Sequence, residues 1–295
     1  MPPIVLYCKS YSVDLRRVVR LAESIEKFNV DKLPFYISVP EVDIPIFREY
    51  LKKFKVKLIS DEDIIGSNNC IDRRDLSKLP GHISQQIVKS EFWRLDLCDS
   101  YLCLDSDCIF IRPFLSSEFI TSTGTPYTVM DEGHELFEAS LLRRGKKIVE
   151  DFHADAQRLK VLLNRQDRSY CFGPFPVIWH RAVWESLDKE FLQPQNMSLL
   201  DAIHRVPTES LWYGEALLRY QAMPLMPCQP LFKVYHYAWQ FDKDRNSRIS
   251  LEKLAQIYSG VIYQSAWERE MDWPSEGGSW LSRSARRLRR VFGRI

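Results

Sequence analysis

Tyr101-Leu102-Cys103-Leu104-Asp105-Ser106-Asp107-Cys108-Ile109-Phe110-Ile111 is an apolar run broken at its centre by two carboxylates. The four residues before the break have the length and character of a buried strand, and the four after it resume that character. Two carboxylates in so hydrophobic a setting carry a large cost in desolvation and mutual repulsion unless a cation or hydrogen-bond donors stand nearby. Residues i and i+2 of an extended segment point the same way, so both carboxylates can face one ion. The alternative is a pair of turn aspartates that cap neighbouring backbone.

Upstream of this stretch, strand and helix alternate. A short apolar run from Ile4 to Cys8 is followed by Leu15, Val18, Val19, Ala22 and Ile25 at helical spacing, with Ser12 or Asp14 placed to cap. Phe35 to Val39 ends at Pro40, after which Phe47, Leu51 and Phe54 recur at near-helical spacing, and Val56 to Ile59 stops at Ser60-Asp61. Two successive β-α-β passes predict a parallel, doubly wound sheet, because parallel neighbours need a crossover and the helix supplies it. Ile83, Ile87, Phe92 and Leu95 then share one helical face ahead of Tyr101. Downstream, residues 134 to 164 read as helical, Phe175 to Trp179 as extended and 181 to 191 as helical. Pro224, Pro227 and Pro230 precede a β-like run from Phe232 to Trp239. The fold class predicted is α/β, a Rossmann-type mixed and mainly parallel sheet flanked by helices, with a helical C-terminal extension. Ligands of such open sheets bind outside the carboxyl ends of the strands, where residues 105 to 107 fall.

With 45% of its 295 residues apolar or aromatic, the chain can bury a sizeable core. A formal net charge of +2 carries no signature of a nucleic-acid binder, so no nucleic-acid partner is expected. The seven cysteines are odd in number and form no Cys-x-x-Cys pair, which argues against a disulfide framework or zinc knuckle and suits a reducing, cytoplasmic setting. The N-terminus has no basic, apolar leader pattern, and no apolar run reaches the roughly 18 residues of a spanning helix. Asp-x-Asp occurs three times, at 61–63, 105–107 and 242–244, so the bare triplet is weak evidence. The apolar flanks set the middle one apart.

Together with Pro80-Gly81-His82-Ile83-Ser84-Gln85-Gln86-Ile87-Val88-Lys89, Ile111-Arg112-Pro113-Phe114 and the opening Lys9-Ser10-Tyr11, this stretch resembles bacterial GT-A-fold glycosyltransferases. It is most similar to a family associated with surface-polysaccharide synthesis. The likeness runs over about residues 4 to 240 and is strongest in the first 115. It implies a catalytic domain over 1–240, with a nucleotide-sugar-binding half at 1–115 and an acceptor-binding half at 116–240, then a helical extension at 241–276. It also implies that Ser10 and Tyr11 lie against base and ribose, and that Gln86, Lys89, Asp105 and Ser106 bind the donor. Asp105, Asp107 and His236 would hold Mn2+ or Mg2+, with Asp105 shared between metal and ribose. Such an ion keeps positions free for substrate phosphates and stabilises charge on a nucleoside-diphosphate leaving group. Lys89 has a physical case of its own as a mobile point charge beside a diphosphate, set against a solvated helix lysine. His236, among aromatics, reads equally as a hydrogen-bonded core histidine.

Inverting transfer needs a carboxylate within reach of the acceptor hydroxyl. Thr208-Glu209-Ser210-Leu211-Trp212-Tyr213-Gly214-Glu215 opens a helix after Pro207, resembling the acidic helix start that supplies this base, with Glu209 the first candidate and Glu215 the second. Glu209 can instead serve only to stabilise the helix N-terminus. Asp131 is a further acidic candidate. Cys171-Phe172-Gly173-Pro174-Phe175-Pro176 suits a sugar-stacking acceptor loop, although ordinary packing also uses aromatics. The last sixteen residues hold six arginines around an apolar stripe, so residues 277–295 are expected to form a basic amphipathic tail on an anionic membrane surface, making the protein peripheral there.

The expected activity is metal-dependent transfer from a nucleotide-diphosphate sugar, UDP-linked, to a glycan or lipid-linked glycan. Two rivals stand against it, a nucleotidyltransferase acting on sugar phosphates and a non-catalytic nucleotide-binding scaffold. Lys9-Ser10-Tyr11-Ser12-Val13-Asp14 lacks the glycine-rich phosphate loop of the first, and the intact acidic triplet counts against the second.

Overall fold

The computed structural model describes residues 2–76, 78–142 and 146–264 of the chain. The basic tail expected at 277–295 lies outside the described residues, as does the end of the expected extension. The described strands are β1 (Ile4–Lys9), β2 (Phe35–Val39), β3 (Val56–Ser60), β4 (Ser100–Leu104), β5 (Cys108–Phe110), β6 (Thr128–Val129), β7 (Val177–His180), β8 (Pro227–Cys228), β9 (Phe232–Tyr235) and β10 (Gly260–Tyr263). Five of them form the central sheet in the order β3-β2-β1-β4-β7.

The first four are parallel, in registers such as Leu6↔Phe35, Cys8↔Leu104 and Ile37↔Leu58, and the helices Leu15–Phe28, Ile44–Leu51 and Gly81–Glu91 lie in their crossovers. Only β7 runs antiparallel, with Trp179 beside Tyr101. The mixed, mainly parallel sheet expected from the alternating runs is therefore present.

Alternation along the strands builds two cores. Val5, Tyr7, Tyr101, Cys103 and Trp179 face one side, under the helices Gly81–Glu91, Leu199–Arg205 and Glu209–Tyr220. Leu6, Cys8, Leu102, Leu104 and Ile178 face the other, against Val18, Leu21 and Ile25 of the first helix. On the first side Tyr7 stacks on Phe92 at 3.8 Å between ring centroids, and Tyr101 stands edge-on to Trp179. Each large side chain buried in this way contributes roughly 1.5–3 kcal/mol, which fixes the helices that carry the site.

The apolar run that opens at Tyr101 belongs to two sheets. After Leu104 the chain turns, with Cys108 N–H donating to the Asp105 carbonyl at 3.1 Å, and β5 joins a second sheet in the order β5-β10-β9. Residues 105 to 107 are thus the link between the sheets. The described part of the stretch 241–276, read from the sequence as helical, holds the end of the helix Ala238–Asn246, the helix Leu251–Leu254 and also β10, which is too short to show a period.

Within the stretch 134 to 164 the described residues form the helices His134–Leu142 and Lys146–Leu162. Asp14 sits at the N-cap position, but its carboxylate serves Arg17 and the Ser106 hydroxyl, the latter at 3.2 Å, so it caps no helix N–H. No described helix is long and apolar enough to cross a membrane.

Gly214 marks how tightly the site-bearing helix packs, since a Cβ there would lie 2.0 Å from Cγ of Phe172. Gly214→Ala should destabilise the protein by about 1–3 kcal/mol despite the better helix propensity of alanine. Denaturant unfolding checks this, and adding Phe172→Leu should recover part of the loss.

Candidate functional site

The site grows from one buried lysine. The hydroxyl of Tyr101 on β4 donates to the Lys89 carbonyl at 3.1 Å and holds the last turn of the Gly81–Glu91 helix against the sheet. The Lys89 side chain, 3% exposed, reaches the carboxyl end of β4, where its Nζ lies 2.6 Å from Asp105 Oδ1 and 3.8 Å from Glu209 Oε1. The Phe175 ring lies against the ammonium, 4.2 Å to its centroid. Burial opposes the charge on Lys89, but Asp105 and Glu209 outweigh it and its pKa stands above the ordinary value.

Glu209 opens the Glu209–Tyr220 helix and is buried. Burial raises its pKa above the usual carboxylate range, and Lys89 pulls against that rise. The helix is pinned by Trp212 Nε1, which donates to the Val206 carbonyl at 3.0 Å, and by the Tyr213 hydroxyl, which accepts from His180 N–H at 2.9 Å.

Asp105 and Glu209 line a cleft of about 790 Å³, and so do Asp131 and His236. Glu132 and Glu135 bring its wall to five carboxylates, and none of the described lining residues is a lysine or arginine. Asp131 is placed by a two-way backbone pairing with Cys171, at 3.1 and 2.8 Å, and its Oδ1 accepts from Gly133 N–H at 2.8 Å. Gly133 has φ +72°, and a Cβ there would lie 2.6 Å from the Cys171 sulfur, so the turn that aims Asp131 requires glycine. Burial raises the Asp131 pKa. His236 follows β9, and burial pushes its pKa down to about 4, which keeps the imidazole neutral. The Cys171 thiol in the same wall is pushed up to about 12 by burial, so it presents no thiolate.

The other expected residues lie elsewhere. Ser106 and Asp107 border a small opening with Arg17, Arg20 and Tyr263. Ser10 is buried just beyond β1 with its N–H donating to the Ser38 carbonyl at 2.8 Å, and Tyr11 is exposed. Gln86 is buried, its Nε2 donating to the His82 carbonyl at 3.0 Å. Glu215 is fully buried away from the cleft lining and takes two hydrogen bonds from Arg165, the Nη2 one at 2.7 Å. Lys89, expected to face a diphosphate, directs its charge at the two carboxylates.

Sequence reasoning misses Asp61, which stands in a bare acidic triplet. It is buried at the end of β3, 2.8 Å from Nζ of Lys9, whose ammonium also donates to the Ser10 carbonyl at 2.5 Å. The available signal is an aspartate that opens a helix directly after a strand. Glu132 and Glu135 also escape a reading of the sequence, as does Lys233, which pairs with Glu135 at 2.5 Å.

Whether a divalent cation suits this site is a question of donor chemistry. Asp105 and His236 offer carboxylate oxygen and neutral imidazole nitrogen to one cleft, a set suited to Mn2+ or Mg2+ beside phosphate oxygens. Asp107, the third expected ligand, borders the arginine side, and among the described residues no three histidine, cysteine, aspartate or glutamate side chains gather as a metal group.

The fold matches known transferase structures. A galactosyltransferase, LgtC, crystallised with donor and acceptor sugar analogs, is similar at TM-score 0.50 and 14% identity, with 92% of each chain covered. An active-site mutant of LgtC gives TM-score 0.49 and 13% identity over 88% of this chain and 86% of that one. Mouse xyloside xylosyltransferase 1, in its apo form, gives TM-score 0.44 and 7% identity over 90% and 99%. At such identities the likeness to LgtC establishes a GT-A-like fold. No curated protein matches the chain. The family model described as "Family of unknown function (DUF6492)" matches residues 3–248, and the chain belongs to that family.

The Arg165–Glu215 pair allows a stability test separate from the cleft. Arg165→Met leaves a buried carboxylate without its partner and should cost about 3 kcal/mol in chemical denaturation. A change of a few tenths would show that the pair is not structural.

Proposed function

We propose that the protein is a metal-dependent glycosyltransferase that moves a sugar from a UDP-linked donor to a hydroxyl of a glycan or lipid-linked glycan, in bacterial surface-polysaccharide synthesis. The observation that carries this reading is the convergence of Asp105, Glu209, Asp131 and His236 on one cleft at the carboxyl end of β4. A GT-A-like fold supports it. Ser10, Tyr11, Gln86 and Ser106 are assigned to the donor side on the resemblance to GT-A-fold glycosyltransferases, and Ser10, Tyr11 and Ser106 follow the ends of β1 and β4.

Glu209 is the proposed base. Its carboxylate takes the proton of the acceptor hydroxyl as that oxygen bonds to the anomeric carbon, while the bond from this carbon to the diphosphate oxygen breaks with its electron pair. The outcome is inversion. Asp105, Asp107 and His236 would hold Mn2+ or Mg2+, whose chemistry when bound is neutralisation of charge on the diphosphate. Lys89 keeps Asp105 and Glu209 apart and in place, and Phe175 closes that cation off from water.

Titration calorimetry with Mn2+ present should show UDP binding that is lost without metal and in Asp105→Asn, Asp107→Ala and His236→Gln. Equal binding without metal would overturn the metal assignment. An unaltered Asp107→Ala would remove Asp107 from the ligand set.

Glu209→Gln should lower kcat by roughly 10²–10⁴-fold while UDP binding persists. Because burial raises the Glu209 pKa, and a base must be unprotonated to work, wild-type activity should fall on the acid side starting above the usual carboxylate range. Rate measurements across pH, with a screen of UDP-sugars for donor hydrolysis and transfer, check both. Full turnover in the variant would remove Glu209 from the chemistry.

A further inference from the structure

The acceptor half of the cleft has a charge pattern that says which sugars can enter it, given the transferase reading above. Its wall is formed by Asp131, Glu132 and Glu135, with Phe152, Phe172 and Phe175 as the aromatic surface. The cations near these carboxylates stand outside the lining. Arg168 pairs with Glu132 at 2.5 Å and Lys233 with Glu135 at 2.5 Å. Asp131 accepts from the Gly133 N–H at 2.8 Å, a backbone donor that leaves its charge unneutralised. A ring seated on the aromatic surface would therefore meet hydroxyl acceptors in the form of carboxylates, and a fixed negative charge on that ring would meet like charge in a partly desolvated cavity.

We propose that the acceptor site takes a sugar that is neutral or carries an amine and rejects one bearing a carboxylate or phosphate, with Asp131 as the residue that sets this choice. Carboxylates accept hydrogen bonds from sugar hydroxyls and pair with an ammonium, whereas the carboxylate of a uronate offers neither the donors nor the charge they need. The selection is electrostatic and acts across a solvent-reached cleft, so it weakens as ionic strength rises.

The test uses the full chain with UDP and Mn2+ and three nitrophenyl β-glycosides of one ring, the glucoside, the 2-amino-2-deoxyglucoside and the glucuronide. Saturation-transfer NMR reads binding without needing turnover. The glucoside and aminoglucoside should bind, and the glucuronide should bind about ten-fold more weakly or not at all in low salt. The gap should narrow at high salt, about 0.5 M, and in Asp131→Asn, measured as the ratio of glucuronide to glucoside affinity. Glucuronide bound as well as glucoside, or no binding of any of the three, would overturn the proposal. An unmoved ratio in Asp131→Asn would overturn the role given to Asp131. Donor hydrolysis of UDP-sugars in the same samples separates the two levels, because its absence would sink the transferase reading whatever the binding ratios show.

Discussion

A single buried ammonium holds the architecture of this cleft together. Lys89 leaves water at a cost that its neighbours must offset, and they do so with Asp105 at 2.6 Å, Glu209 at 3.8 Å and the face of Phe175. The three come from separate elements, the end of β4, the start of the Glu209–Tyr220 helix and the loop before β7. Without the cation, Asp105 and Glu209 would stand as close carboxylates with no partner between them. With it, the positions of the strand end, the helix and the loop are tied to one another.

That arrangement explains why so much chemistry gathers on one side of the sheet. The right-handed logic of β-α-β units brings the helix Gly81–Glu91 over β1 and β4, and the aromatic stack of Tyr7, Phe92 and Tyr101 sets its depth. From there Lys89 has one direction to go, along the sheet to the carboxyl ends of the strands. Lys9 follows the same course one strand over and meets Asp61. Two buried lysine–carboxylate pairs thus stand side by side at the strand ends, and only the β4 pair opens on the large cleft.

The fold could be read from the sequence because its signals are local. The run Phe35 to Val39 matches β2 at both ends, and the helical spacing from Leu15 to Ile25 matches the first helix. Asp105 is legible for a similar reason, since carboxylates between apolar flanks show themselves in a short window, and Glu209 is legible through the Pro207-Thr208 helix start. What fails to show are relations across distance. The partnership of Lys89 with Glu209, the burial of Asp61 against Lys9, and the paired carboxylates Glu132 and Glu135 depend on which segments meet, and no periodicity encodes that. The chain also turns after Leu104, so strand alternation no longer tells where Asp107 points, and its place beside Arg17 and Arg20 is not legible.

The second sheet fixes the order in which this protein can become competent during synthesis. Strand β10 lies between β5 and β9, so Ile109 and Lys233 are both held through Val261. The segment that follows the acidic link therefore has no neighbour in that sheet until residues 260–263 have left the ribosome, long after the central sheet has all five of its strands. Closing a loop of that length is slow relative to local pairing. The floor of the cleft, lined by Phe232, Val234 and Ile262, is therefore completed only when the last of the described strands has been made.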